Sequence, residues 1–293
     1  MTKVLITGAT GNVGTEILKA LGNIHHTLEI YAGVRKTNTN QREPLVFEQN
    51  EIYFDFTKID TFWPALLNID ILFLLRPPNI SDVAKYFKPL IDTAKKSSIQ
   101  HIIFLSVQGV EKSKIIPHHK IEKLIVDSKI SYTFLRPAYF MQNFTTTLRY
   151  DLVHNHRIYL PAGQARFTLI DLKDIGCVTA EVLINPQKYC NKSYELTNNE
   201  TLTFAEMAKK ISEGIGKNIS YISPSLLQFF ITKRKEEMPI MLILVMIMLH
   251  YFPRFQQTPK LTQWVKIITK KEPKTFEEFI QTNLKKIGKN KSS

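Results

Sequence analysis

The stretch "KVLITGATGNVGTEILKALG", residues 3–22, constrains the fold more than any other part of the chain. Residues 3–8 are apolar and partly β-branched, and they read as a buried strand. Glycines follow at 8, 11 and 14, and residues 12–22 then repeat apolar side chains at helical spacing until Gly22 stops them. A glycine triplet between a strand and a helix is the turn of a dinucleotide-binding βαβ unit. Gly8 permits the tight turn, Gly11 lets backbone approach a pyrophosphate, and Gly14 lets the helix pack close to the strand. The phosphates would meet unpaired N–H groups at the positive end of the helix.

The pattern continues. Residues 28–35, 51–56, 70–75, 101–107 and 131–137 read as further strands, and 81–97 and 119–129 as helices. These strands are apolar throughout instead of alternating, as expected where both faces of a parallel sheet are covered. Alternating strands and helices at this spacing predict a doubly wound α/β fold of the Rossmann type. Residues 165–184 look like a strand running into a helix, and 192–198 like another strand. Residues 203–216 form a helix opened by a Thr203–Glu206 capping box and stopped at Gly214 or Gly216. "KNISYIS" reads as a lone edge strand, and the remainder is helical and amphipathic. The expected organisation is an NAD(P)-binding core at 1–140 and 165–200. A small α/β C-terminal substrate or cap subdomain would hold 141–164 and 201–293.

Composition narrows the classes. With 44% apolar residues in 293, the chain can bury a large core. Its two cysteines, Cys177 and Cys190, have no ligand spacing and are expected to be buried small hydrophobes in a reducing, cytoplasmic setting. No secretory signal is read at the start. The segment "MPIMLILVMIMLHYF", 238–252, falls short of the roughly 20 residues of a membrane span, and a buried helix is expected. No membrane partner is therefore expected. Much of the net charge of +13 lies after residue 266 in lysines at helical spacing, which reads as a solvated face. No nucleic-acid-binding motif accompanies it, so nucleic acid is not an expected partner. No metal is expected either: His118 and His119 point about 100° apart on a helix and lack a third ligand.

The second strand ends in "GVRK". An NAD site usually carries an acidic residue there for the ribose 2′-hydroxyl. Arg35 and Lys36 instead suit a 2′-phosphate, so NADP(H) is expected in preference to NAD(H).

Together "TGATGNVG", "GVRK" and "HHKIEKLIVDSKISYTFLRPAYFMQNF" resemble the NmrA-like group of atypical short-chain dehydrogenases/reductases. "YELTNNETLTFAEMAKKISEGIGKNISYI" and "KEPKTFEEFI" are similar to that family as well. The resemblance implies a Rossmann core with a substrate cleft beside a small C-terminal subdomain. It implies either an NADPH-dependent reductase of quinones or dyes, or a regulator that binds the cofactor without turnover. By position, Thr7, Gly8, Thr10, Gly11, Asn12, Val13 and Gly14 would hold the pyrophosphate, and Arg35 the adenosine end. Asp55 and Phe56 would lie beside the adenine. Leu75 and Arg76 would line the ribose and nicotinamide side, Ser106 and Val107 would face the nicotinamide, and Tyr139 and Phe140 would cover it. These positions also follow strand C-terminal ends, where open α/β sheets bind ligands.

Reductases of the wider superfamily use a Tyr-x-x-x-Lys pair on the helix after strand five. With Glu122 aligned to the acid that often follows, the lysine place falls on His118 and the tyrosine place on Lys114. The dyad is therefore absent. Two readings follow. In one, the chain reduces a small molecule such as a quinone, with His118 and Tyr139 as candidate catalytic groups. In the other, it is a non-catalytic NADP(H) sensor acting through a protein partner.

Overall fold

The computed structural model describes residues 1–35 and 50–288. In chain order the strands are β1 (Lys3–Ile6), β2 (Glu29–Val34), β3 (Asn50–Tyr53), β4 (Ile71–Leu75), β5 (His101–Leu105), β6 (Ser131–Pro137), β7 (Tyr139–Phe140), β8 (Arg157–Tyr159), β9 (Arg166–Ile170), β10 (Lys192–Leu196), β11 (Thr201–Thr203) and β12 (Ser220–Ile222). The helices are α1 (Asn12–Gly22), α2 (Phe62–Leu66), α3 (Val83–Lys96), α4 (Pro117–Ser128), α5 (Arg149–His154), α6 (Leu172–Ile184), α7 (Pro186–Tyr189), α8 (Phe204–Ile215), α9 (Leu226–Lys235), α10 (Ile240–Tyr251), α11 (Trp264–Thr269), α12 (Phe276–Thr282) and α13 (Leu284–Gly288). The chain divides into two compact units.

The first unit is Met1–Ala138, Leu172–Leu196 and Trp264–Glu272. Among the described residues it carries a seven-stranded parallel sheet in the order β10-β6-β5-β4-β1-β2-β3. Strand order reverses at β1, so β1 and β4 diverge at a topological switch point, where such sheets bind ligands. The strands bury both faces: Val4, Leu5, Ile6, Leu72, Phe73 and Leu74 have almost no exposure. One sheet face packs on α2, α3 and α4 through Phe62, Phe87, Leu90 and Ile121. On α6, a Cβ at Gly176 would stand 2.5 Å from the Glu16 carbonyl oxygen of α1. That helix pair can cross closely only because this position is glycine.

The second unit is Tyr139–Asp171, Thr197–Gln263 and Pro273–Ser293. It holds a small sheet β11-β9-β7 and the pair β12-β8. Its core gathers Phe144, Phe167, Phe204, Phe229, Phe276 and Phe279. The Thr203–Glu206 capping box opens α8, and Gly216, at φ 67°, closes it. A buried ionic group ties α9 to α5 and β8. The Lys233 ammonium contacts Asp151, and it donates to Glu236 at 2.7 Å. Arg157 reaches Asp151 at 2.9 Å.

The division differs from the sequence boundaries in four places, two of them short: residues 139–140 and 197–200 fall in the second unit. Residues 165–171 sit in the second unit because β9 pairs with β7 and β11. Residues 264–272 sit in the first, where Trp264 meets Tyr194 edge-on with ring centroids 4.9 Å apart. "KNISYIS" is not a lone strand, since β12 pairs in parallel with β8. Nor is residue 238–252 a buried helix: only Ile243, Met246 and His250 of α10 are buried. Among the described residues no helix is long and apolar enough to cross a membrane. Cys177 is exposed on α6 and Cys190 is half-buried, so neither is the buried hydrophobe expected.

Candidate functional site

The glycine turn lies at the carboxyl ends of β1 and β4. Gly8 sits at φ 66°, which glycine tolerates without strain, and a Cβ there would come 2.9 Å from Leu75 Cδ2. The Gly11 N–H donates to the Gly8 carbonyl at 2.9 Å, closing the turn. A Cβ on Gly14 would strike the Gly8 carbonyl oxygen and Ala9 Cα, so α1 can begin directly against the turn only with glycine there. Gly11 is the N-cap of α1, and no side chain caps the helix. No acidic residue stands in the first turn either. The amino end of α1 is thus left for an outside acceptor, with Thr10, Gly11 and Asn12 exposed. Thr7 and Val13 are buried. The Thr7 hydroxyl donates to the Phe73 carbonyl at 3.1 Å and accepts from the Leu75 N–H at 2.9 Å. It clamps β1 to β4, so its side chain is spent on the sheet.

At the end of β2, Arg35 is exposed and forms no ion pair among the described residues. Lys36 lies outside the described residues. After β3, Asp55 is half-buried, and its Oδ1 accepts from the N–H and hydroxyl of Thr57 at 2.9 and 2.8 Å. Phe56 points into the core, edge-on to Phe54 at 4.9 Å and tilted on Phe87 at 5.4 Å. Its ring is therefore a packing element, and its backbone is what remains for a ligand.

Past β4, Arg76 turns back on its own loop. Nη1 donates to the carbonyls of Pro77 and Ile80 at 3.0 and 2.8 Å, and Nε donates to His118 Nε2 at 3.3 Å. Because a guanidinium can only donate, His118 Nε2 is the acceptor and Nδ1 carries the proton. Burial, reinforced by the Arg76 charge, pushes the His118 pKa down to about 3. The imidazole, lying over Phe104 with centroids 6.0 Å apart, is neutral at physiological pH. A neutral ring is a poor acid, which removes one role suggested for His118. Lys114, at the tyrosine place of the absent dyad, is exposed.

At the end of β5, Ser106 is 3% exposed and its hydroxyl has no partner among the described residues. Its backbone N–H is satisfied by the Leu135 carbonyl at 2.8 Å. A buried hydroxyl without a partner is uncommon and calls for a ligand or a water. Val107, beside it, is half-buried. Glu122 of α4 is taken by Arg136, whose Nε and Nη2 hold its two oxygens at 3.0 and 2.7 Å. It acts as a brace between α4 and β6.

The first unit thus brings together the glycine turn, Leu75, Arg76, Ser106 and His118. Tyr139 belongs to the second unit, where its ring meets Phe144, Phe167 and Phe204. Its hydroxyl lies 3.1 Å from His250 Nε2, while His250 Nδ1 lies 2.6 Å from the Met246 carbonyl. The carbonyl fixes the proton on Nδ1, so Tyr139 donates to Nε2. Burial raises the tyrosine pKa above its ordinary value and lowers that of His250 to about 4. Sequence reasoning did not single out His250. The only signal was one imidazole in an otherwise apolar helix. Gln142 donates to Asp171 at 2.9 Å within the same unit.

The NmrA-like family profile matches residues 1–280. The chain belongs to that family. It is 28% identical over 280 residues to the Prestalk A differentiation protein A of Dictyostelium discoideum, covering 94% of this chain and 90% of that one. It is 27% identical over 277 residues to the uncharacterized oxidoreductase YesF of Bacillus subtilis, covering 94% and 93%. Among solved structures it resembles the NADPH complex of an NADPH-dependent quinone oxidoreductase of Escherichia coli. That match has a TM-score of 0.81 and 20% identity, covering 95% of this chain and 99% of the other. At that identity the structural likeness speaks to the fold of this NmrA-like chain.

Proposed function

We propose that this NmrA-like protein is an NADPH-dependent oxidoreductase that reduces a small planar acceptor such as a quinone. The observation that carries the reading is the uncapped amino end of α1, set behind Gly8 and Gly11 at the switch point of the sheet. The residues present fit a dinucleotide. Backbone N–H groups of the exposed residues Thr10 and Asn12 would receive the pyrophosphate, the Gly11 N–H being used to close the turn. The exposed Arg35 guanidinium would receive a 2′-phosphate, and Asp55 would lie beside the adenine. The orphaned Ser106 hydroxyl would bond the nicotinamide side.

Bound NADPH supplies two electrons and a proton as hydride, and quinone reduction is completed by one further proton. The chain's own groups position more than they protonate. Arg76 is held by loop carbonyls and by His118, which fixes the wall after β4. His118 is neutral and Tyr139 is bound to His250, so the last proton comes from solvent. A quinone tolerates this because its oxyanion product is a weak base. The relatives' names support the oxidoreductase class: one is an oxidoreductase and one structural neighbour a quinone reductase.

Titration of the purified chain with NADPH and NADH, followed by a quinone panel at constant nicotinamide absorbance readout, tests the reading. Tight NADPH binding with quinone-dependent oxidation is expected. Tight binding without oxidation across the panel would favour the sensor, which the lack of a free proton donor also suits. No binding of either nucleotide would remove both.

A further inference from the structure

Helix α10 buries a narrow stripe, Ile243, Met246 and His250, against the core of the second unit. At 100° per residue, its exposed positions 240, 241, 242, 244, 248 and 249 spread over about 200° of the helix, and all are Ile, Met or Leu. Met241 is 70% exposed. The face continues onto neighbouring elements, with Leu227 of α9 70% exposed and Phe255 in the 3₁₀ turn after α10 71% exposed. An apolar area of this extent is unusual for a surface that meets only water.

The charges around it are cationic on balance: Glu236 is held by Lys233 and Arg157, and the exposed Glu237 is outnumbered by Arg234, Lys235 and Arg254. Arg234 and Lys235 close α9 before the apolar helix, and Arg254 follows it. The Arg254 guanidinium lies over the Tyr251 ring at 5.1 Å, an aromatic-plus-cation arrangement suited to the boundary between headgroups and acyl chains. Helix α10 has 12 residues and carries no acidic side chain. At 1.5 Å per residue it is far too short to cross a bilayer, but long enough to lie in its surface. A net charge of +13 opposes pairing of two copies and favours an anionic partner.

We infer that this face of the second unit docks on an anionic lipid surface, with α10 lying in the headgroup plane. The inference is independent of the proposed reaction. It also refines the sequence expectation of no membrane partner: α10 does not span, but its surface chemistry fits an interface.

The test is co-sedimentation of the full chain with vesicles of phosphatidylcholine containing phosphatidylglycerol, and with phosphatidylcholine alone. Binding to the anionic vesicles, weakened by salt, is expected. Met241→Glu combined with Leu244→Glu should abolish it. Lys235→Glu should weaken it roughly thirtyfold, since each cation near an anionic surface contributes comparably. All three positions are exposed, and an unchanged circular-dichroism melt confirms that each variant is folded. Three results would overturn the inference. One is no binding to anionic vesicles, and another is undiminished binding by the double variant. The third is a lipid-free dimer, seen by light scattering, that the double variant dissociates, since a second copy would then cover the face.

Discussion

Acidification to pH 5 should destabilise this protein through the buried His101 and His250 and the half-buried His118. His101 and His118 lie in the first unit and His250 in the second. Burial lowers their pKa values to about 4, about 3 and about 4. For His101 the hydrogen bonds agree: the Thr133 hydroxyl donates to the Tyr189 carbonyl at 3.0 Å, so His101 Nε2 must donate to Thr133 at 2.9 Å, and Nδ1 is left buried without a partner. Because each folded pKa lies below the unfolded value of about 6.5, the unfolded chain binds more protons between those limits, and stability rises with pH there. The stabilisation is complete above pH 6.5 and is lost as pH falls toward the folded values. At pH 5 the loss is about 2 kcal/mol per histidine, hence about 4 kcal/mol for the first unit and about 2 kcal/mol for the second. A net stability of about 5–15 kcal/mol makes that a large fraction. The lowered carboxylates Asp151, Glu206 and Glu278 titrate below pH 5 and do not confuse the comparison. Urea unfolding at pH 7.5 and pH 5.0 measures the difference, with His118→Gln expected to shrink it by about 2 kcal/mol. Equal urea midpoints at the two pH values would refute the assignment of these rings as neutral in the folded chain.

Arg35→Asp should weaken NADPH about 10- to 100-fold, the size of a lost charged hydrogen bond, and leave NADH nearly unchanged. Equal losses by calorimetry would sink the 2′-phosphate assignment. Ser106→Ala should leave the melting temperature unchanged, because the hydroxyl has no partner among the described residues, while lowering kcat/KM about five- to tenfold. Unaltered kinetics would place the hydroxyl outside the site. Tyr139→Phe should cost about 1–3 kcal/mol by leaving His250 Nε2 unsatisfied, with quinone turnover retained. A collapse of kcat in a stably folded Tyr139→Phe would restore the tyrosine as a catalytic group.

The core sheet is legible in the sequence because its central strands β1, β4 and β5 are almost uniformly apolar, whereas the edge strands β3 and β10 carry polar residues. Pro77 and Pro78 end the fourth strand, and the sixth, at 131–137, coincides with β6. The Thr203–Glu206 box is legible for a similar reason, since capping is a local exchange of hydrogen bonds. What escapes the sequence is which side of an apolar helix finds a partner. Residues 238–252 are apolar all round, so periodicity predicts burial without naming what buries them. The structure buries Ile243, Met246 and His250, with Met238 and Ile247 half-buried against the same core.

The candidate site divides along the same line. Its backbone features are legible, because Gly8, Gly11 and Gly14 are demanded by conformation and close approach, which only glycine satisfies. Its side-chain chemistry is not, because a residue type does not disclose its partners. Thr7 appears available for a phosphate until its hydroxyl is found bridging β1 and β4. His118 reads as a proton donor until burial, with Arg76 donating to its Nε2, is found to keep it neutral. Tyr139 has a free phenol until His250, more than a hundred residues away in the chain, accepts from it. Each engagement subtracts a proton donor from the chemistry and adds rigidity to the wall that holds it. On the proposed reading, the acceptors left open are those, like quinones, whose reduction asks the protein for position and leaves protonation to water.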